Sequence, residues 1–389
     1  MDPGEPRRPG EPGQIAFAGS SYGAGQSLII AAHDDRVKAV AAQSAWADLT
    51  RSLYENGTRH LAAFEALAAL FGEDRLSDET RQIFEDFRAN KNIKHMIDVG
   101  AIRSPISYVE RLNARRVPVF LGTYWHETIF SVPAVVEFFN QLTGPRRLLV
   151  QIGDHGGDEI LGFLGGWSRP TATTFRWLDH HLQGKDNGID QDGNVHTEYM
   201  HNLFDLRKSN GWQSYVQPTR RFCLDQPRGG STDGALASRP ATGWTTTIQA
   251  GVDTPAHVAE QLVQTCVLER LGAPAIYDTA TIVAHLFDVD PGRAKGKIIT
   301  GAPYTLLNDR EGEARAIDIQ LQPADYRIAA GHQLALVIDT RDRLFGDATV
   351  DGSQVEFASP NGAASYLELP LADLPDAEQP PYSAGNSPE

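Results

Sequence analysis

The stretch that decides the fold is QIAFAGSSYGAGQSLIIAAH, residues 14–33. Its first apolar run, residues 15–18, has the length and composition of a buried strand, and the alanine-rich segment 26–32 is long enough for a helix. Between them, residues 19–23 read GSSYG and match the G-x-S-x-G pattern. In this setting of strand, sharp turn and helix, the pattern predicts that Ser21 is a nucleophile whose hydroxyl projects from the end of a sheet.

The residues around Ser21 each have a predicted role. Gly19 and Gly23 are expected because side chains at these positions would collide with the neighbouring strand and helix. The amide of Tyr22 would face an oxyanion formed at Ser21, whereas Ser20 is the variable position of the pattern and is expected to pack. The alternative interpretation is a Gly/Ser loop that caps an ordinary helix, since serine is a common N-cap residue.

Composition limits the class of protein. The chain has 389 residues, enough for two domains, with 41% hydrophobic and 22% charged residues, which is typical of a globular protein. Its net charge of −15 argues against nucleic acid and membrane as partners. We see no apolar run long enough to span a bilayer, and residues 1–13, MDPGEPRRPGEPG, lack the apolar core of a signal peptide. We therefore expect a cytoplasmic location.

The cysteines and histidines form no metal-binding pattern. Cys223 and Cys266 can form one disulfide, but two buried thiols are the favoured interpretation. The string HETIF at residues 126–130 lacks the second histidine of a zinc helix. His180 and His181 fall on a predicted amphipathic helix, as surface or boundary packing. We therefore expect no metal and no cofactor.

Strands and helices alternate after the first helix, in the manner of a parallel α/β sheet covered on both faces. Residues 48 to about 92 have apolar spacing typical of helices, so a helical insertion is expected between the second and third strands. The predicted strands are 37–44, 117–122 and 147–152, and the predicted helices are 131–142 and 171–182.

The pattern changes after GKDNG at residues 184–188, where short alternating or β-branched segments are separated by Gly, Pro and Asp turns. These segments predict an all-β sandwich of about jelly-roll size. They are residues 195–201, 221–224, 281–288, 316–321 and 332–339. The predicted division is an α/β domain at 1–190 with the insertion at 48–103, a β domain at 191–372, and a disordered tail at 373–389.

A serine nucleophile needs a base, and the base needs an acid to orient it. In α/β-hydrolase folds the chain order is serine, acid, histidine. Glu127 follows the third predicted strand and His155 follows the fourth, so both fall in the right order and on the right edge of the sheet. Asp48, after the second strand, is the alternative acid, and Asp154 is expected to shape the loop of its neighbour His155.

Aromatic residues follow several strand ends. They can line an acyl pocket, although core packing is an equal alternative for each one. These residues are Trp46, Trp125, Phe130 and Trp167.

With these residues placed, the chain resembles the X-Pro dipeptidyl-peptidase and cocaine-esterase-like α/β-hydrolases. The resemblance covers nearly the whole chain up to about residue 371. Within it, WHETIF at 125–130 is similar to a G-W-x-D-x-x-F segment, with Glu127 where aspartate is usual. The other similar segments are GSSYG at 19–23, AAHDDRVKAV at 31–40, SPISY at 104–108, VPV at 117–119, FRWLDHHLQG at 175–184, DNG at 186–188, LFDVDPG at 286–292 and AGHQL at 330–334.

The resemblance implies a triad of Ser21, Glu127 and His155, with the insertion 48–103 as a cap over the site. It also implies that the β domain packs against both and helps to close the substrate cleft. Family members carry several strands before the elbow, and a loop after an early strand supplies a second oxyanion donor. Residues 1–14 do not match those strands, so the N-terminal part of the hydrolase domain is expected to be missing.

The predicted function is that of a serine hydrolase acting on a small-molecule ester or peptide, including X-Pro amides, through an acyl-enzyme. The alternative is a truncated, catalytically impaired homologue that acts as a binding or structural module. Without the missing strands, residues 15–18 would form an open edge, so self-association as a homo-oligomer is expected. Without the second oxyanion donor, weak turnover is expected from this chain.

Overall fold

The computed structural model describes residues 15–200, 202–225, 234–249, 279–293, 295–307, 315–346, 349 and 352–371. The first part of this chain forms an α/β unit. Its elements are β1 (Ile15–Ser20), α1 (Tyr22–His33), β2 (Val37–Gln43), α2 (Leu49–Leu53), β3 (Tyr54–Glu55), β4 (Thr58–Arg59), α3 (Leu61–Phe71), α4 (Asp78–Arg88), α5 (Ile93–Ile102), α6 (Val109–Arg115), β5 (Val119–Tyr124), α7 (Val132–Gln141), β6 (Arg146–Gln151), α8 (Gly157–Phe163), α9 (Arg169–Gln183), β7 (Val195–Tyr199) and β8 (Asn202–Ser209).

One six-stranded sheet organises this unit, in the order β1-β2-β5-β6-β7-β8. Its first five strands are parallel, and β8 pairs antiparallel with β7. The strand predicted at 195–201 exists, but its assignment to the β-sandwich is wrong. Leu148 of β6 pairs with Val195, because the loop after α9 returns the chain to the open side of β6. The α/β sheet therefore extends to Ser209, beyond residue 190.

Helices cover both faces of the sheet, as expected for parallel strands that are apolar on both sides. On one face, Leu28 of α1 and Phe138 of α7 pack in a large cluster with residues of β2, β5 and β6. On the other face, Trp177 of α9 packs with Phe120 of β5 and Leu149 of β6. The predicted parallel α/β sheet, covered on both faces, is therefore confirmed.

The elements predicted for this unit are present in the structure, whereas α6, α8 and β8 were not predicted. Between β2 and β5 the chain is helical as expected, with a short β3–β4 hairpin in addition. Ser77 caps α4, and Phe64 stacks on Phe87 at 4.3 Å between ring centroids, so α3 and α4 pack on each other. Among the described helices, none has both the length and the apolar composition needed to cross a membrane.

The remaining described elements are mostly short antiparallel strands, in sheets of the orders β10-β9-β16, β11-β15 and β13-β12-β14. They are α10 (Trp212–Tyr215), β9 (Thr219–Leu224), β10 (Leu236–Ala237), β11 (Trp244–Gln249), β12 (Thr279–Asp290), β13 (Lys295–Leu307), β14 (Gln333–Asp339), β15 (Gln354–Ser359) and β16 (Tyr366–Pro370).

Predictions for this region are mixed. The strands expected at 221–224, 281–288 and 332–339 are present, whereas residues 316–321 form no ladder, so that strand prediction is wrong. None of the ladders among the described residues includes this segment, so the alternating pattern alone did not make a strand. The jelly-roll topology stays a prediction. Cys223 is a free, buried thiol, and Cys266 and the predicted disordered tail lie outside the described residues.

The C-terminal strands contact the β3–β4 hairpin directly. Thr305 N donates to Asn56 O at 3.0 Å, and the hydroxyls of Thr58 and Thr305 lie 2.7 Å apart. Gly346 N also donates to Arg59 O at 2.7 Å. These bonds hold the C-terminal region against the loop that precedes α3, close to the site described next.

Candidate active site

Ser21 occupies a strained turn between β1 and α1. Its backbone angles, φ 53° and ψ −120°, lie where non-glycine residues are rare and cost roughly 1–3 kcal/mol. The turn is held by Ser21 N donating to Gln43 O at 2.9 Å and by Gly25 N donating to Ser21 O at 3.1 Å. A Cβ at Gly19 would lie 2.5 Å from the Gly23 carbonyl carbon, so the predicted steric need for Gly19 is confirmed.

The same steric prediction is wrong for Gly23. Outside its chain neighbours and the backbone of α1, a Cβ there would meet no described atom within 4 Å, so the position opens to free space. Next to it, Tyr22 is the first residue of α1, and the first N–H groups of a helix have no intrahelical acceptor. The Tyr22 side chain is 53% exposed, and its ring lies 5.4 Å from that of Phe71 at the end of α3.

His155 lies in the loop that connects β6 to α8. Its Nε2 is 2.8 Å from Ser21 Oγ and its Nδ1 is 2.8 Å from Glu127 Oε1. The loop is held by Asp154, whose Oδ1 accepts hydrogen bonds from His155 N at 2.7 Å and from Thr128 N at 2.8 Å. Asp154 therefore fastens the two loops that carry Glu127 and His155.

Glu127 lies in the loop after β5 and is 3% exposed. Its Oε1 accepts hydrogen bonds from Ile129 N at 3.1 Å and from Phe130 N at 3.3 Å, besides the contact with His155 Nδ1. A carboxylate that accepts from Nδ1 fixes the tautomer that leaves Nε2 free to accept a proton from Ser21.

The surroundings raise the pKa of His155 above its ordinary value. Burial acts to lower this pKa, but the hydrogen bond from the ring to Glu127 and the charge of Glu127 outweigh it. The charges of Glu159 and Asp154 add to the increase. The imidazolium form of His155 is therefore favoured relative to an isolated histidine.

Glu159 is a second buried carboxylate that the sequence analysis missed. It lies in the first turn of α8 and is 1% exposed. Its oxygens accept hydrogen bonds from the hydroxyls of Ser44, at 2.6 Å, and Tyr124. Acidic residues directly after GG, before an apolar run, are typical of a helix start, and this signal would have identified α8.

Asp48, the alternative acid, has another place in the structure. It is the N-cap of α2, where its Oδ1 accepts from Arg51 N at 3.1 Å. Ser104 Oγ lies 3.5 Å from the same oxygen. The carboxylate at the Nδ1 of His155 is that of Glu127.

The four aromatic residues divide into two groups. Phe130 and Trp46 flank the site: the Phe130 ring lies 5.2 Å from that of His155 and 5.3 Å from that of Trp46. Trp125 packs in the main core, with its Nε1 donating to Glu198 O at 2.5 Å, and Trp167 is 74% exposed. The pocket hypothesis therefore keeps Trp46 and Phe130 only.

Among the described residues, one group has the side chains and spacing to hold a metal ion: His180, His181 and Asp190. His180 Nε2 is already paired with Asp190 Oδ2 at 2.8 Å, and His180 Nδ1 lies 2.9 Å from Lys185 O. Burial lowers the pKa of His181 to about 4, so this ring is neutral near pH 7. The arrangement is a contact between His180 and Asp190 at the end of α9, in which both His180 ring nitrogens already have partners.

Comparisons with known proteins give a family match and a fold match. Residues 6–157 match the family model described as X-Pro dipeptidyl-peptidase (S15 family). The predicted family resemblance is confirmed. The matched residues include Ser21, Glu127 and His155 and indicate a hydrolase.

Two crystal structures of a CocE/NonD family hydrolase from Staphylococcus aureus are similar to this chain, with TM-scores of 0.65 and 0.63. Their sequences are 12% and 11% identical to it, and each match covers 92% of this chain and 72% of the other. At this identity the likeness concerns the fold, which is α/β-hydrolase-like. No curated protein sequence matches the chain significantly.

Proposed function

We propose that this chain is a serine hydrolase that cleaves ester or amide bonds by acyl transfer. The observation that carries the proposal is the continuous hydrogen-bond chain from Ser21 Oγ through His155 to Glu127, with both contacts at 2.8 Å. Its order in the sequence, serine, acid and histidine, is that of α/β-hydrolases. The strained turn at Ser21 and the hydrolase family match support the same proposal.

In the proposed mechanism, Ser21 Oγ attacks the carbonyl carbon of the substrate while His155 Nε2 takes the hydroxyl proton. Glu127 keeps the proton of the neutral ring on Nδ1 and stabilises the imidazolium that forms. The pKa of His155 is raised by Glu127, which is the direction that favours proton uptake during attack.

The tetrahedral intermediate carries an oxyanion, for which the N–H of Tyr22 is the proposed donor. His155 then gives its proton to the leaving alcohol or amine, and an acyl group remains on Ser21 Oγ. Water attacks this acyl-enzyme while His155 Nε2 takes one of its protons. His155 then returns that proton to Ser21 Oγ as the C–Oγ bond breaks and the acid leaves, so the enzyme regains its starting protonation state.

The proposed substrates are esters or X-Pro amides, since the family description names X-Pro dipeptidyl-peptidases and the sequence also resembles esterases. Aromatic rings are the nearest candidates for an acyl pocket: Phe130 beside His155, Trp46 beside Phe130, and Tyr22 beside the nucleophile. Such surfaces suit an apolar acyl group rather than a charged one.

We also keep the proposal that the helical insertion at 48–103 acts as a cap. The supporting contact is that between Phe71, the last residue of α3, and Tyr22. The C-terminal region is proposed to close the cleft from the other side, through its hydrogen bonds to the β3–β4 hairpin.

A fluorophosphonate label, which reacts with activated serine hydroxyls, tests the nucleophile. We expect Ser21→Ala to abolish labelling and to lower kcat for p-nitrophenyl acetate by at least about a thousandfold, because the acyl-enzyme can no longer form. Ser20→Ala is the matched control and should keep most of the activity.

Labelling that survives in Ser21→Ala and disappears in Ser20→Ala would transfer the role to Ser20. A wild-type chain that neither labels nor hydrolyses the ester would contradict the proposal and favour the non-catalytic alternative.

A further inference from the structure

A small cavity lies behind Glu127, a residue that lines it and whose Oε1 contacts His155. Its volume is about 10 Å³, which is the space of one water molecule. Three of its lining residues carry a buried polar atom without a hydrogen-bond partner among the described residues. These atoms are Glu127 Oε2, His60 Nε2 and Ser131 Oγ.

The hydrogen-bonding character of His60 follows from its other nitrogen. Nδ1 lies 3.3 Å from the backbone oxygen of Ser52, which can only accept, so Nδ1 carries the proton and Nε2 is an acceptor. Burial also lowers the pKa of His60 to about 4, so the neutral ring is the form present near pH 7.

The three atoms cannot satisfy one another directly. Glu127 Oε2 and His60 Nε2 are both acceptors, and the hydroxyl of Ser131 has a single proton to donate. Leaving such groups unsatisfied in the interior is unfavourable, because each has lost its hydrogen bonds to water. One water molecule has two protons to donate and a lone pair to accept with, which matches two acceptors and one hydroxyl.

We propose that this cavity binds one water molecule that donates to Glu127 Oε2 and His60 Nε2 and accepts from Ser131 Oγ. Through this water His60 is a positioning residue for Glu127, whose other oxygen already accepts from two backbone N–H groups and faces His155. The effect on catalysis rests on the function proposed above, whereas the water site itself does not.

The C-terminal region closes this cavity. The Phe345 ring packs against His60 with 4.8 Å between ring centroids, and Phe345 lines the cavity. Leu344 O accepts from Ala62 N at 3.1 Å, just after His60 in the chain. Residues of the C-terminal region therefore determine whether the space behind Glu127 is closed to bulk solvent.

Charged groups also face this space. Arg51 and Glu55 line it and lie 3.6 Å apart, and burial raises the pKa of Glu55 despite the charge of Arg51. Asp342 and Asp154 act on His60 from the C-terminal and His155 loops, and both raise its pKa, although burial dominates. The variants below keep all four of these charges unchanged.

A high-resolution crystal structure of the wild-type chain tests the site directly. We expect a water oxygen roughly 2.6–3.2 Å from each of the three atoms. An empty cavity, or His60 Nε2 bonded directly to a protonated Glu127, would overturn the inference. This result does not depend on Ser21. If the wild-type chain holds the water but does not react with the fluorophosphonate label, only the proposed function is contradicted.

Variants test the positioning role. We expect His60→Leu to lower kcat for p-nitrophenyl acetate by about tenfold to a hundredfold with KM nearly unchanged, because a loosened Glu127 misplaces His155 in the transition state. His60→Gln can still bond to the water and should restore kcat to within a few-fold of wild type. If kcat falls equally in His60→Leu and His60→Gln while the thermal stability of both variants is unchanged, His60 does not act through the water.

Discussion

Two buried carboxylates act on His155 from different regions, and they are bonded in different ways. Glu127, in the loop after β5, touches the imidazole itself and has only its Oε1 bonded within the described chain. Glu159, in the first turn of α8, has both oxygens bonded to hydroxyls, those of Ser44 and Tyr124. Both charges raise the pKa of His155, and that of Glu127 does so more strongly.

The two carboxylates are therefore expected to have different roles: Glu127 orients the imidazole, and Glu159 holds the surrounding elements together. Glu127 fixes the tautomer and orientation of the ring, so its removal is expected to change chemistry more than folding. Glu159 ties the end of β2, the end of β5 and the start of α8 together, since Ser44 and Tyr124 follow or end those strands. Its removal is expected to change folding more than chemistry.

The largest effect is expected for Glu127→Gln. The amide can donate to Nδ1 and so favour the wrong tautomer, and it cannot stabilise the imidazolium. We therefore expect kcat for p-nitrophenyl acetate to fall by about 10³–10⁴. Thermal unfolding should shift little, because the Gln side chain fills the same space.

Glu79→Gln, at an exposed position of α4, is the matched control and should leave kcat unchanged. If Glu127→Gln retains wild-type kcat, Glu127 is not the acid, and the contrast with Glu159 would lose its basis.

The next effect is expected for Glu159→Gln, in stability. Two buried hydroxyls lose a charged acceptor, and each poorly satisfied group costs roughly 1–3 kcal/mol in the free energy of unfolding. Denaturant unfolding measures this loss, with kcat falling less than about tenfold. A variant as stable as wild type would show that α8 is held by other contacts.

The pH profile of the same variant gives a second measurement. His155 acts as a base only when neutral, so kcat/KM rises as pH increases through its pKa, which lies above the ordinary value of 6.5. Glu159→Gln removes a charge that raises this pKa, so the rising limb should move to lower pH. A shift of the rising limb to higher pH would contradict the assigned effect of the Glu159 charge on the pKa of His155.

The smallest effect is expected for Tyr124→Phe. It removes one hydroxyl that donates to Glu159 and accepts from Asp158 N at 3.1 Å, while Ser44 stays bonded to the carboxylate. The free energy of unfolding should fall by about 1 kcal/mol, with kcat within a few-fold of wild type. Tyr366→Phe, at an exposed tyrosine, is the control; an equal change in both would contradict a role for the Tyr124 hydroxyl.

The sequence by itself determined the elements that depend on neighbouring residues. The turn at Ser21 was predictable because a strand, a short glycine-bounded turn and a helix follow one another without a break, and Gly19 is required by contact with Gly23, four residues away. The positions of Glu127 and His155 at strand ends followed from the same periodicity, since parallel strands end at a common edge.

Only the tertiary structure decided which side chains meet. Asp48 and Glu127 both follow strands, and the choice between them at His155 depends on the capping of α2, which places Asp48 elsewhere. Likewise, β7 joins the α/β sheet through its register with β6, although its sequence pattern resembles that of the later strands. The cavity behind Glu127 combines the β3–β4 hairpin, the loop after β5 and the C-terminal region, and such contacts between distant parts of a chain depend on packing that no local pattern records.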